Sequence, residues 1–235
     1  MVTYRIKELN KYLENDWICK MLRDNMSEEE KDIRTNKWLY EMNNKRMIYA
    51  DVYGDILCGI LPKTYKVLDV GGGVNALTKC LASNCQYSLC DFLAHGGDKY
   101  LASFSDRYKI KWINSDWYDA EFEPYDIVIA NDIFPDVDMR LELFIDKMLK
   151  RCKELRLVLT FYNTPMFYQA KRVDDSEVLT FLSWDGEITA LKMEKYLDRM
   201  IDTTYEQLAQ MKNETESIYR NGRQVSYLRI RGDYA

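Results

Sequence analysis

A short apolar strand that runs into three consecutive glycines is the feature that most constrains the fold of this chain. Residues 66–77 read KVLDVGGGVNAL, and a helical pattern follows. Glycine lets the main chain take positive φ and approach a ligand without a Cβ in the way. We expect the first N–H groups of the following helix to point to the same place. This pattern is typical of a loop that binds a nucleotide-type cofactor.

A second acidic residue supports a ligand site rather than a simple tight turn. Asp91 follows the strand-like run 86–90 and comes about 20 residues after Asp69, the spacing at which such folds bind a ribose hydroxyl pair. Asp116 occupies the matching place after the next predicted strand. A tight turn without a ligand remains the alternative interpretation of the glycine run.

Strand-like and helical segments alternate along most of the chain. Five short strands are predicted, at 67–70, 86–90, 110–114, 126–130 and 156–161. Their alternation with helices predicts an α/β fold with a doubly wound, mostly parallel sheet. Near the C-terminus, Asn221-Gly222 favours a hairpin turn between two further strands at 216–220 and 223–231,. The parallel sheet should therefore end in an antiparallel pair.

The first 60 residues are predicted to form a helical extension that packs on a main domain spanning residues 61–235, because no glycine- or proline-rich linker separates them,. Helical patterns cover 7–25 and continue from Ser27, which with Glu30 predicts a capping box,. Farther along, apolar residues at three- and four-residue steps between 190 and 211 predict one long amphipathic helix,.

Charge and composition narrow the expected partners. A formal net charge of −5 disfavours nucleic acid, so we expect a small-molecule partner,. No apolar run is long enough to span a bilayer and the first 20 residues lack a secretory pattern, which predicts a cytoplasmic protein,. The six cysteines lack paired CxxC spacing, so we expect reduced core thiols and no metal site,.

The motifs from residue 51 to the C-terminus resemble the class I S-adenosylmethionine-dependent methyltransferases, whose seven-stranded sheet finishes with a reversed hairpin. The resemblance implies S-adenosylmethionine as the cofactor. It implies that the segment 69–75 cradles the amino-acid part, that Asp91 binds both ribose hydroxyls, and that residues 115–117 meet the adenine. The predicted cofactor-binding residues are Asp69, Gly71, Gly72, Gly73, Asn75, Asp91, Phe92, Ser115, Asp116, Trp117 and Asn131.

Several of these residues have a plain structural alternative. Asn75 stands where the family usually has its third glycine, although Asn tolerates a left-handed backbone,. Asp116 is a candidate helix cap, and Phe92 and Trp117 are candidate core aromatics. A dinucleotide-dependent dehydrogenase uses similar parts, but its pyrophosphate requires a full glycine pattern. Asn75 and the predicted terminal hairpin favour methyl transfer.

The catalytic candidates follow the fourth and fifth strands: Asn131, Asp132, Tyr162 and Asn163. Asp132 is the preferred general base for a hydroxyl acceptor, with a cap on a helix predicted at 136–152 as the alternative. His95 is the only histidine, and its pKa suits proton transfer, but it follows Asp91 on the adenosine side,. The scarcity of catalytic residue types leaves open a catalytically silent partner or regulatory subunit.

The segment 163–186 is predicted to cover the acceptor, because the resemblance places the acceptor pocket there. It contains aromatic residues and the basic pair Lys171 and Arg172, which are candidates for meeting a phosphate,. A solvated surface pair is the alternative. The predicted activity is methylation, at oxygen, of a sugar or another small anionic metabolite, of the kind used in bacterial surface polysaccharides.

Overall fold

The computed structural model describes residues 1–92, 104–171 and 178–234. Its strands are β1 (Val2–Thr3), β2 (Lys66–Val70), β3 (Gln86–Cys90), β4 (Lys111–Ile113), β5 (Tyr125–Phe134), β6 (Cys152–Phe161), β7 (Met166–Lys171), β8 (Val178–Ser183) and β9 (Gln224–Arg231). Its labelled helices are α1 (Ile6–Leu13), α2 (Trp17–Asn25), α3 (Arg34–Glu41), α4 (Asn43–Leu57), α5 (Thr78–Asn84), α6 (Leu141–Leu149), α7 (Gly186–Glu194) and α8 (Tyr205–Gln210). Residues 104–108 are also helical. No helix in these ranges is long and apolar enough to cross a membrane.

Seven strands form one sheet in the order β1-β9-β6-β5-β2-β3-β4, and β7 pairs with β8 in a separate two-stranded sheet. Strands β2, β3 and β4 are parallel, whereas β9 runs antiparallel to both β6 and β1. Residues 67–70 of β2 are all buried, as expected for a strand covered on both faces,. The predicted mostly parallel α/β sheet is confirmed.

The chain divides into two compact units. One comprises Lys7–Ile129, and the other comprises Met1–Ile6 together with Ala130–Ala235. The first unit therefore contains the glycine run and the helices α2 to α5, and the second contains β6 to β9. The separate extension 1–60 and domain 61–235 remain a prediction. The glycine loop and the N-terminal helices belong to one unit.

The reversed C-terminal strand is confirmed, but its predicted hairpin partner is wrong. Residues 216–220 form no strand, and β9 pairs instead with β6, from Glu154↔Arg231 to Phe161↔Gln224. The Ser217 hydroxyl oxygen accepts the Tyr219 N–H at 2.9 Å, and the hydroxyl also contacts the Arg223 carbonyl. These side-chain bonds hold the segment as a turn, because they satisfy backbone groups that a strand would pair.

The predicted helix boundaries also need correction. The segment 190–211 is not one helix: α7 ends at Glu194, and α8 starts afresh behind a capping box between Thr204 and Gln207. The pattern 7–25 is broken where Asp16 caps α2 by accepting the Cys19 N–H at 3.0 Å. The reciprocal bonds between Ser27 and Glu30 form as predicted, but only a short 3₁₀ turn follows them.

Two further features differ from the sequence prediction. The segment 163–186, which is predicted to cover the acceptor, contains the β7–β8 ribbon, with Met166 opposite Ser183, although the sequence predicts no strand there. All six cysteines are free thiols, and Cys85, Cys90 and Cys152 are buried as predicted, but Cys58 is exposed and is not a core residue.

Candidate functional site

The glycine loop begins directly after β2 and is bonded to the end of β3. Gly71 and Gly73 have φ values of 68° and 62°, which other L-residues rarely adopt,. The Gly71 N–H donates to the Cys90 carbonyl at 2.8 Å. The Gly73 N–H donates to the Asp91 carboxylate at 2.9 Å. The loop therefore has a defined shape at the carboxyl ends of two parallel strands, where α/β sheets bind their ligands.

Asp69 lies beneath this loop, fully buried. Its Oδ2 accepts the hydroxyls of Tyr53 at 3.0 Å and Tyr87 at 2.7 Å. Its Oδ1 is buried and has no partner among the residues that the structure describes. Burial raises the pKa of Asp69 to about 7, and the nearby Asp91 adds to that rise. A Cβ on Gly72 would lie 2.3 Å from the Asp69 carboxylate, so only glycine fits above it.

The N–H groups of residues 75–77, immediately before α5, are bonded within the protein and are not available to a ligand, contrary to the sequence expectation. The Asn75 N–H donates to the Thr78 hydroxyl at 3.0 Å, and the Leu77 N–H donates to Asn75 Oδ1 at 2.8 Å. The Ala76 N–H donates to Asn36 Oδ1 at 2.6 Å. A dinucleotide pyrophosphate needs these amides. Their internal bonds therefore disfavour the dehydrogenase alternative.

Two backbone N–H groups of the glycine loop are still available as hydrogen-bond donors. The N–H groups of Gly72 and Val74 have no protein acceptor within the described ranges. Asn75, at the position of the expected third glycine, does not take a left-handed conformation. Its buried side chain donates to the Tyr49 hydroxyl at 3.1 Å, so Asn75 shapes the loop through its side chain.

Around the predicted ribose site, Asp91 is partly buried and its carbonyl accepts the Trp112 indole N–H at 2.9 Å. Phe92 is 57% exposed beside it. The exposed ring is available to cover a flat ligand, which a core aromatic would not be. His95 lies outside the described residues.

The predicted adenine segment forms a tight turn. Asp116 Oδ1 accepts the Tyr118 N–H at 2.7 Å, and the Asp116 carbonyl accepts the N–H of Ala120 at 3.0 Å. Trp117 is buried and packs edge-on against Tyr118. Ser115 is partly buried, and its hydroxyl bonds with the Asp116 carbonyl at 3.2 Å. Asp116 thus caps a turn, and the Trp117 side chain is buried as a core residue would be.

In the second unit, Asn131 and Asp132 lie inside β5, which continues four residues beyond the predicted strand. Asp132 has φ of 64°, a rare conformation for a non-glycine residue,. Its carboxylate pairs with Arg223, with Oδ1 3.1 Å from Nη1. The alternative that Asp132 caps the next helix is wrong, because α6 begins at Leu141 behind Arg140.

Sequence reasoning missed two charged residues here. Arg223 precedes β9, and its guanidinium lies 4.3 Å from the centre of the Tyr219 ring. Asp136 is buried and accepts the Ser183 hydroxyl at 3.1 Å. Burial raises the pKa of Asp136, and Arg223 opposes that rise. No sequence pattern indicates that Asp132, Asp136 and Arg223 lie together. Residues 132 and 223 are 91 positions apart and come near each other only through the tertiary fold.

The candidates after the fifth strand are also engaged. Asn163 Oδ1 accepts the amide of Gln224, a fully buried residue at the start of β9. Tyr162 is buried and meets Tyr168 edge-on, and Tyr168 stacks on Phe181 with centroids 5.1 Å apart. Burial raises the pKa of Tyr162. The described part of the chain holds no cluster of three or more metal-ligating residues.

The sequence predicts that the basic pair Lys171 and Arg172 meets a phosphate of the acceptor. The side chain of Lys171 and the whole of Arg172 lie outside the described residues.

Comparisons with known proteins identify the fold. No family model and no curated protein match the sequence. A putative S-adenosylmethionine-dependent methyltransferase from Listeria monocytogenes superposes with a TM-score of 0.50 at 11% identity, over 79% of this chain and 99% of that one. The 1,6-didemethyltoxoflavin-N1-methyltransferase of Burkholderia thailandensis, solved with 1,6-didemethyltoxoflavin and S-adenosylhomocysteine, gives a TM-score of 0.50 at 10% identity, over 87% and 89%. The chain therefore has the fold of these methyltransferases.

Proposed function

We propose that this chain is an S-adenosylmethionine-dependent methyltransferase that acts on a small molecule. One observation carries the proposal: a buried carboxylate, a glycine that no other residue can replace, and a second carboxylate meet at the ends of β2 and β3. Asp69 Oδ1 is a buried acceptor without a partner among the described residues, and Gly72 places no side chain above it. Such an acceptor is costly unless a bound donor satisfies it.

The residues of the first unit fit the parts of this cofactor. We assign its amino-acid part to Asp69 and to the N–H groups of Gly72 and Val74, because they offer an acceptor and two donors. We assign the ribose hydroxyls to Asp91 and the face of the adenine to Phe92. The cofactor supplies a methyl group on a positively charged sulfur. Binding by a carboxylate, backbone amides and one flat apolar contact suits its mixed polarity.

For the acceptor, we propose methylation at oxygen of a sugar or another small anionic metabolite, in the cytoplasm. Asp132 is the proposed general base, with Asn131 beside it and His95 as a less favoured candidate. Asp132 would take the hydroxyl proton of the acceptor, while the bound cofactor would supply the methyl group and leave as S-adenosylhomocysteine. The half-exposed polar end of β5 supports this assignment.

Calorimetry tests the cofactor assignment. We expect S-adenosylhomocysteine to bind and NAD not to bind. Asp91→Ala should weaken binding by about 30-fold, equivalent to roughly 2 kcal/mol, because a charge-assisted contact is lost. Asp91→Asn is the matched control for the loop, since its amide oxygen can still accept the Gly73 N–H. Clear binding of NAD without S-adenosylhomocysteine would make the protein a dehydrogenase.

A second candidate function is a catalytically silent cofactor-binding subunit. The observation that favours it is the ion pair that engages Asp132 with Arg223. Transfer of radiolabelled methyl from S-adenosylmethionine to any of a panel of sugars and sugar phosphates distinguishes the two. Tight cofactor binding with no transfer across such a panel would favour the silent subunit.

A further inference from the structure

The Arg223 guanidinium is only partly used by its protein partners. Nη1 lies 3.1 Å from Asp132 Oδ1, and Nη2 donates to Asp132 Oδ2 at 3.4 Å. Both contacts exceed the roughly 2.7–2.9 Å typical of a charge-assisted bond. The face of the guanidinium lies against the Tyr219 ring. Arg223 is therefore oriented by an aromatic ring, and its direct contacts with the Asp132 carboxylate are long.

The second edge of the same guanidinium carries an unmet donor. Arg223 Nε is buried and has no hydrogen-bond partner in the described residues. An arginine offers five N–H donors, and Nε–H with one Nη–H forms an edge that binds a planar oxyanion through two bonds. The side chains of Arg223 and Asp132 are 17% and 27% exposed. Both side chains are therefore partly exposed, although Nε itself is buried, so an oxyanion reaches this edge only when the guanidinium moves.

Asp132 combines a rare backbone conformation with a cationic neighbour. Its φ of 64° places it among the backbone conformations that concentrate at functional sites,. Both of its carboxylate oxygens face the Arg223 guanidinium, so the cation stands where the proton of an acceptor hydroxyl would have to arrive. Asp136 also interacts with Arg223 electrostatically, so two acids share one cation.

We propose that Arg223 recognises an oxyanion on the acceptor, such as a phosphate, and that this binding frees Asp132 to act as the base. The inference rests on the proposed function and names the substrate class of the same reaction. An oxyanion on the Nε edge draws the guanidinium away from Asp132 and adds a like charge beside it. Both changes favour the protonated carboxyl group. Asp132 then takes the hydroxyl proton of the acceptor that Arg223 holds.

The experiment uses the full chain with S-adenosylhomocysteine, and its probes are inorganic phosphate, glucose 1-phosphate and glucose. Guanidinium NMR follows the Nε–H signals, with that of Arg223 assigned by its loss in Arg223→Gln. We expect both phosphates to shift the Arg223 signal in a saturable way, and glucose not to. Asp132→Asn should tighten phosphate binding about 10-fold, because it removes the competing charge.

Arg229→Gln is the matched control, because Arg229 lies on the same strand and its Nε and Nη2 both donate to Glu154 at 2.9 Å. It should leave phosphate binding unchanged. Equal shifts of the Arg223 and Arg229 signals, or unchanged phosphate affinity in Asp132→Asn, would overturn the inference. Calorimetry with S-adenosylhomocysteine on the same samples separates the two proposals: cofactor binding without a phosphate response defeats only the Arg223 site, and a phosphate response without cofactor binding defeats the proposed function.

Discussion

Asp69 shows how a single buried side chain joins folding to ligand binding. Two tyrosine hydroxyls satisfy one of its oxygens, while the other oxygen has no partner in the part of the chain that is described. Without a ligand, ionisation of this carboxyl group costs free energy, because burial disfavours its charged form. A bound cationic group would relieve that cost. The same residue is therefore a source of instability in the free protein and of affinity in the complex.

Asp69→Asn should make this cost visible as a pH dependence. The folded pKa is about 7, against an ordinary value of 3.8, so the parent loses stability as pH rises through that interval. Asn cannot ionise. The free energy of unfolding of Asp69→Asn, relative to the parent, should therefore rise between about pH 4 and pH 7 by at least about 1.4 kcal/mol.

Denaturant titrations at pH 4.5, 6 and 8 measure the difference. S-adenosylhomocysteine should bind Asp69→Asn less tightly at pH 8, because the anionic acceptor is lost. A stability difference that stays constant with pH would mean that Asp69 keeps an ordinary pKa.

Substitution of Asp132 tests its proposed role as the general base. Asp132→Asn should retain affinity for S-adenosylhomocysteine but lower kcat about 100-fold or more, because an amide cannot take up the acceptor proton. His95→Asn should have a smaller effect. The measurement is turnover with an acceptor found in the radiolabel screen. An active Asp132→Asn beside a crippled His95→Asn would exchange the two assignments.

At the scale of elements, α3 holds the glycine loop through side-chain bonds that cross the first unit. Asn36 is fully buried: its Oδ1 accepts the Ala76 N–H, and its Nδ2 donates to the Glu30 carbonyl at 2.7 Å. The Thr35 hydroxyl bonds with the Val74 carbonyl. The N-terminal helices therefore shape the glycine loop, in addition to covering hydrophobic surface.

Asn36→Ala should weaken binding of S-adenosylhomocysteine about 10-fold and lower stability by about 1–3 kcal/mol, because a buried N–H loses its acceptor. Asn84→Ala is the matched control. Asn84 also joins two helices, through bonds to the carbonyls of Ile56 and Leu57 at 3.1 Å, but it lies away from the loop. Calorimetry and thermal unfolding should show a stability loss in both variants and an affinity loss only in Asn36→Ala.

Local sequence signals predicted the elements near the glycine run better than those near the C-terminus. Strands β2 and β3 match their predictions closely, because each is a short apolar run next to a turn. The predicted helix 190–211 failed because its apolar spacing continues across a break that contains no proline or glycine. There, Asp202 takes a φ of 53° and Thr204 caps a new helix. Such breaks depend on side-chain capping that periodicity does not register.

At the scale of the whole molecule, contacts between residues far apart in the sequence are the ones that sequence reasoning could not predict. The sequence predicted Asp69 and Asp91 as site residues because neighbouring parallel strands have their carboxyl ends at the same edge of the sheet. Asn36 and Arg223 were missed because their partners lie 40 and 91 residues away, and no local pattern encodes such pairs. The predicted cofactor residues thus include the strand-end acids, whereas the contacts of Asn36 with Ala76 and of Arg223 with Asp132 are seen only in the tertiary structure.

The last prediction concerns the contacts between the N-terminal residues and strand β9 in the second unit. Residues 1–6 belong to the same compact unit as residues 130–235. Strand β1 extends the sheet beyond β9, and the Tyr4 N–H donates to the Val225 carbonyl at 3.0 Å. The Tyr4 side chain is only 1% exposed, whereas that of Ile6 is 43% exposed. Tyr4 therefore belongs to the core of this unit.

Tyr4→Ala should accordingly destabilise the protein by about 3 kcal/mol, because it leaves a cavity the size of an aromatic ring. Ile6→Ala, two residues along the chain and mostly solvated, should cost less than about 0.5 kcal/mol. Thermal unfolding followed by circular dichroism compares the two, and limited proteolysis within residues 205–223 reports whether the second unit opens first. If both variants unfold at the temperature of the parent, the N-terminal segment does not close the sheet. Loss of stability in Tyr4→Ala alone would show that this unit is completed by residues more than a hundred positions away in sequence.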